Sequence, residues 1–250
     1  MCIRDSAETL TRYQASLGPP LKVTTLRRRV SSLRSLLKFL KKHHEGPSCE
    51  LPSVSGTRLP KRLPKALPLD QLERLLAAPD LAKPQGLRDR AFMETVFGAG
   101  LRVSEACGLQ ASELSLDTAA LRVTGKRGKT RWVPLPSLTV PWIERYLVEG
   151  RPHLAKRPVG EVFLDGHGRP LSRSMAYRIL EKHAKSAGIA QHVGPHVLRH
   201  TYAVQLLKGG ADLRAVQELL GHASVSTTQV YTQLDTEEVR RKYVAAHPRK

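Results

Sequence analysis

The sequence predicts a mainly α-helical chain: a short basic helical region, a linker, and a larger helical domain carrying a small three-stranded antiparallel sheet. Three observations predict it. From Thr24 to about His44, apolar residues fall at Leu26, Val30, Leu33, Leu37 and Leu40, the spacing of an amphipathic helix, with Arg and Lys on the other face. Residues 46–66 hold Gly46, Pro47, Pro52, Gly56, Pro60 and Pro64 with no sustained periodicity, which marks a boundary. Residues 120–124 and 130–135 alternate, are rich in β-formers and flank Gly125-Lys126-Arg127-Gly128-Lys129, the pattern of a hairpin.

Taken in order, residues 1–6 back-translate to the end of a transposon adaptor used in sequencing libraries, and are set aside as a scar. A short helix is expected around 7–17, ended by Gly18-Pro19-Pro20, and the basic helix follows. The organisation expected is 1–6 scar, 7–45 helical region, 46–66 linker and 67–250 main domain. Within the main domain, helices are expected at 69–77, 86–98, 103–109, 137–149, 172–187, 196–208, 212–220, 226–231 and 237–246. Residues 161–164 are the candidate third strand. Asp212 is a candidate helix cap. Gly209-Gly210 fits either a helix-turn-helix joint or a C-cap and turn.

At 250 residues, 40% of them apolar, the chain can build real cores. No apolar run approaches the ~18 residues of a membrane span and no secretory signal opens the chain, so a cytoplasmic protein is expected. Cys2, Cys49 and Cys107 form no C-x-x-C pair and no even set, which supports neither disulfides nor zinc; Cys107 reads as a core residue. The net charge is +19, and residues 21–65 alone hold twelve Lys or Arg against Glu45 and Glu50. Such a surplus suits a polyanion bound through phosphate contacts. Arg27, Arg28, Arg34, Lys38 and Lys41 are the candidate DNA contacts on the basic helix, and Arg127 and Lys129 those on the hairpin.

The candidate chemistry is strand cleavage. A phosphodiester repels nucleophiles and has a strongly basic leaving alkoxide, so breaking it needs charge neutralisation and an acid. Arginine forks on the non-bridging oxygens suit the first need, and Arg102 in Gly-Leu-Arg-Val-Ser-Glu and Arg199 in His-Val-Leu-Arg-His are the candidates. Glu105, one turn after Arg102, either orients that guanidinium or forms an ordinary helical ion pair. His196 and Arg199, three apart after Gly194-Pro195, point to one side of a first turn, whereas His200 faces elsewhere. His196 and His200 resemble half a zinc site, but Val197 stands where H-E-x-x-H needs Glu, and no metal is expected. A tyrosine nucleophile, with an ordinary pKa of about 10, needs a base such as His196 and local positive charge.

The ordered set Arg102, Lys126 (in Thr-Gly-Lys-Arg-Gly-Lys), His196, Arg199, His222 (in Leu-Gly-His) and Tyr231 (in Val-Tyr-Thr) resembles the tyrosine recombinase, or phage integrase, family over residues 7–250. The segment 59–65 and the Ala-Ala-His-Pro-Arg ending look most like the bacterial Xer branch. The resemblance implies a truncated helical core-binding (SAM-like) domain, keeping about two of four helices, and a mainly α catalytic domain clamped on duplex DNA. It also selects Lys126, 24 residues after Arg102, as general acid for the departing 5' oxygen, against a reading in which the hairpin only touches phosphates. His222 takes the place of the second, phosphate-bonding histidine, and Tyr231 that of the nucleophile forming a 3'-phosphotyrosyl bond. No cofactor is implied; the partners implied are double-stranded DNA and a homo- or hetero-tetramer with a related recombinase on paired sites. A non-cleaving DNA-binding remnant and a type IB topoisomerase-like activity are the rival readings.

Overall fold

In the computed structural model, the described residues are 12, 13, 16, 23–43, 66–125, 128, 130–221, 243 and 245–248. The chain separates into two compact units, Met1–Leu63 and Pro64–Lys250. The expected linker lies outside the described residues except for Ala66, as does most of the 7–17 helix.

In the first unit, α1 spans Val23–Lys42. Val30 is buried and Leu33, Leu37 and Leu40 are half-buried, as the periodicity predicts, while Arg28, Lys38 and Lys41 are exposed and Arg34 is half-buried. The side chain of Arg27 lies outside the described ones.

The second unit comprises α2 (Leu69–Ala77), α3 (Pro84–Gly98), α4 (Val103–Cys107), β1 (Leu114–Ser115), β2 (Ala120–Thr124), β3 (Thr130–Pro134), α5 (Val140–Arg145), α6 (Arg151–Leu154), α7 (Arg173–Ser186), α8 (Pro195–Lys208) and α9 (Leu213–Leu220). Its centre is α3, which begins with Pro at its first position, where no amide is missed. A helix buried on nearly all sides has to be surrounded, and α2, α4, α5, α6 and α8 all pack on it. Phe92, Met93, Val96 and Phe97 are fully buried there, with Phe92 edge-on to Phe163 at 5.3 Å between ring centroids. The charged residues of α3 are buried in pairs: Asp89 accepts from Arg88 Nε at 2.6 Å and meets His183 Nε2 at 2.8 Å.

The sheet is antiparallel in the order β1-β2-β3, with Leu121 opposite Val133 and Val123 opposite Arg131. Its third strand is Leu114–Ser115, not the expected 161–164. The turn closed by Ala119 N–H on Leu116 O folds β1 back alongside β2, whereas Glu161 and Leu164 find only isolated bridges to Gln110 and Pro170. The helix expected at 137–149 begins at Val140 and continues through a widened π turn, Tyr146–Gly150, into α6. Pro152 has no amide to offer the carbonyl four residues back, which interrupts the α-helical ladder. Asp212 caps α9, its carboxylate accepting from Ala215 N at 2.7 Å, and Gly209-Gly210 ends α8 as a C-cap and turn. Tyr243, Ala245 and Ala246 are helical, and Tyr243 donates to Gly98 O at 2.7 Å. Residues 226–231 and the rest of 237–246 lie outside the described residues.

Candidate active site

Three arginines from three elements converge on one carboxylate and one helix end. Arg102 is the residue before α4, and the Glu105 carboxylate reaches back one turn to accept its amide at 2.8 Å. The same carboxylate accepts from Arg102 Nη1 at 2.7 Å and from Arg131 Nη1 and Nη2 at 3.2 and 3.1 Å, and lies 3.9 Å from Arg199 Nη1. Glu105 is thus more than a helical ion pair with Arg102. Its side chain is 4% exposed.

The last carbonyls of α9 complete the arrangement. Arg131 Nε donates to Leu219 O at 3.1 Å, Arg199 Nη2 to Leu220 O at 2.7 Å and Arg102 Nη2 to Gly221 O at 2.8 Å. A helix C-terminus leaves its final carbonyls without amide partners and carries partial negative charge. Here three guanidiniums satisfy three consecutive carbonyls. Gly221 closes the helix at φ +63, where a side chain would be strained, and a Cβ there would lie 3.1 Å from Arg131 Cζ. Arg199 Nη1 also donates to Gly100 O at 2.6 Å. Gly100 itself sits at φ +58 with no room for a Cβ against the Tyr202 ring, so the chain turns sharply out of α3 and delivers Arg102.

The electrostatics follow from this packing. Burial opposes ionisation of Glu105, but hydrogen bonds from Arg131 and the Arg102 amide, with the charge of Arg131, outweigh it and hold the carboxyl below its usual range. Burial and the neighbouring Arg102 bring Arg199 down to about 10, so it stays charged at neutral pH. Three positive groups around one carboxylate leave a surplus of positive charge. A guanidinium has five N–H donors, and Arg102 and Arg199 each spend two on the bonds above, so both retain donors for an anion. Arg102, 40% exposed, is the most open of the three.

His196 is on the first turn of α8, exposed, one turn before Arg199, with its ring 6.2 Å from that of Tyr177. Partial burial and the charge of nearby His192 hold it below the ordinary histidine value. Lys126, His222 and Tyr231, and the hairpin residues Arg127 and Lys129, lie outside the described residues. Lys126 and His222 flank described backbone: β2 ends two residues before the lysine, and Gly221 immediately precedes the histidine. Cys107 is buried, which pushes its thiol up to about 11, and belongs to the core. Among the described residues no group of three or more His, Cys, Asp or Glu could hold a metal ion, and no helix is long and apolar enough to cross a membrane.

Arg131 is the residue of this arrangement that sequence reasoning did not single out. Its signal lay in the strand register: two and four residues before Val133 and Leu135, it occupies the core face of β3, where a cation requires a partner.

The sequence profile described as the phage integrase family matches residues 65–238. The tyrosine recombinase XerD of Lacticaseibacillus casei is 40% identical over 243 residues, 97% of this chain and 82% of that protein. The tyrosine recombinase XerD of Xanthomonas axonopodis pv. citri is 49% identical over 204 residues, 78% of this chain and 67% of its own length. Among solved structures, XerH site-specific recombinase bound to difH substrate in a pre-cleavage complex superposes with a TM-score of 0.70 at 24% identity, over 94% of this chain and 70% of that one, a likeness of fold.

Proposed function

Because this chain belongs to the phage integrase family and is a site-specific tyrosine recombinase, we propose that Tyr231 attacks the scissile phosphodiester while Arg102 and Arg199 hold its non-bridging oxygens. The observation that carries this reading is the convergence of three guanidiniums on Glu105 at the end of α9, an anion site whose last residue, Gly221, lies ten residues before the nucleophile.

The Tyr231 oxygen bonds to phosphorus and its proton passes to His196, whose lowered pKa keeps the ring neutral and able to accept it. The bond from phosphorus to the 5' oxygen breaks, and Lys126 gives the departing alkoxide its proton. His222 donates to a phosphate oxygen. The products are a 3'-phosphotyrosyl bond and a free 5'-hydroxyl; a 5'-hydroxyl from the partner strand then attacks the phosphotyrosine and releases Tyr231. One P–O bond is made for each one broken, so no external energy source enters the balance.

Double-stranded DNA is the substrate, held by the basic face of α1 and by the hairpin through Arg127 and Lys129. In this reading four copies, alike or paired with a related recombinase, act on two sites in the cytoplasm. A nicked suicide substrate tests the chemistry. Wild type should accumulate a covalent protein–DNA adduct and Tyr231→Phe none, with DNA affinity changed less than about twofold because no charge is lost. An adduct in the Phe variant refutes the nucleophile; no adduct with wild type favours a DNA-binding protein that does not cleave.

A further inference from the structure

We propose that Arg131 is a positioning residue of this site: it fastens the hairpin strand β3 to Glu105 and to the end of α9, so that the leg of the hairpin and the exit of α9 are held in register with Arg102 and Arg199. The proposal rests on the roles given above to Lys126 and Tyr231.

Two features separate Arg131 from the phosphate-binding arginines. All three of its guanidinium nitrogens are engaged, Nε on Leu219 O and both Nη on Glu105, in a fork-to-fork pairing that is geometrically specific. Its side chain points to the core face of the sheet, between Val123 across the ladder and Val133 along the strand, and therefore away from Trp132, which is exposed on the other face.

Its links also join segments far apart in the chain. Arg131 joins a strand to a helix 88 residues later and to α4, 26 residues earlier. Lys126 is five residues before it, and β3 begins at Thr130, so anchoring the guanidinium anchors the C-terminal leg of the hairpin. Gly221 is packed against the same guanidinium, where an added Cβ would stand 3.1 Å from Arg131 Cζ, which ties the exit of α9 to the hairpin through a single side chain. A displacement of about 1 Å in a reacting group is worth about a hundredfold in rate, so a clasp of this kind is kinetically significant without touching DNA.

The test compares Arg131→Lys and Arg131→Met with wild type in single-turnover adduct formation, DNA affinity and amide exchange. Lysine keeps the charge but cannot span Glu105 and Leu219 O together. Both variants should form adduct at least about tenfold more slowly, with affinity unchanged within about twofold. A substrate with sulfur as the bridging 5' atom, whose thiolate leaves without a proton, should recover most of that loss, as for Lys126→Ala and unlike Arg199→Ala. Exchange should rise together in peptides covering 120–134 and 213–221, a readout independent of every catalytic assignment. Full activity in Arg131→Lys would show that charge alone matters and overturn the positioning role. So would unchanged exchange in either peptide, or sulfur rescue of Lys126→Ala without rescue of Arg131→Lys. If Lys126→Ala itself is not rescued, it is the acid assignment that fails, and Arg131 stands or falls on the exchange result.

Discussion

Glu105→Gln removes the negative centre of the site while keeping its shape. The carboxylate takes three side-chain hydrogen bonds from Arg102 and Arg131 and one from the Arg102 amide, with Arg199 at 3.9 Å. Glutamine keeps one carbonyl oxygen and turns an NH₂ group toward a guanidinium, so donors face donors. Breaking a buried ion pair by removing one partner costs about 3–5 kcal/mol, and the exposure of Arg102 lowers this to roughly 2–4 kcal/mol. For a domain of this size, that corresponds to a melting temperature lower by roughly 4–16 °C at pH 7.

The pH dependence has a definite sign. The folded carboxyl titrates below its unfolded value, so its contribution is present above the ordinary Glu range and is lost as pH falls through the folded pKa. The gap between wild type and Glu105→Gln should therefore be largest near neutrality and close in acid. Thermal melts followed by circular dichroism from pH 3 to 8 measure it. A gap under about 1 °C at pH 7, or one that widens on acidification, would refute the view of Glu105 as the centre of the arginine cluster.

Arg102→Ala and Arg199→Ala should each lower the rate of adduct formation about a hundredfold to a thousandfold. Arg199→Ala should also lower the melting temperature more, because it leaves Gly100 O and Leu220 O without their partner; equal melts would contradict the burial argument. The acid limb of kcat/KM should have its midpoint below the ordinary histidine value of about 6.5, and His192→Gln should move it upward by removing a neighbouring charge. A limb indifferent to His192 and His196 substitution would remove His196 as the base. Replacing Arg27, Arg28, Lys38 and Lys41 with Gln should weaken binding to all DNA sequences and flatten the salt dependence by roughly one unit of slope per lost contact. An unchanged slope would make α1 a solvated surface only.

Much of the architecture is local and was readable in advance. The apolar spacing of α1, the proline-led start of α8, the Asp212 cap and the β2–β3 alternation depend on neighbours within a few residues, where period and chain stereochemistry decide the outcome. The ordered motifs likewise brought Arg102, His196 and Arg199 forward as candidates, and the structure brings Arg102 and Arg199 together at the end of α9. The third strand was misplaced because residues 114–115 are too short for any periodicity to register and pair only because a turn presents them to β2.

Glu105 and Arg131 mark the boundary between what sequence determines and what tertiary structure decides. By sequence alone Glu105 had one visible partner, three residues away, and Arg131 had none; their pairing across 26 residues, and the reach of Arg131 to Leu219, exist only once α4, β3 and α9 have packed. Residue type and spacing determine which groups are capable of holding a phosphate. Which of those groups are spent instead on a buried carboxylate and a helix end is a matter of three-dimensional charge balance, because a cation on the core face of a sheet must be paired wherever the fold can supply the partner.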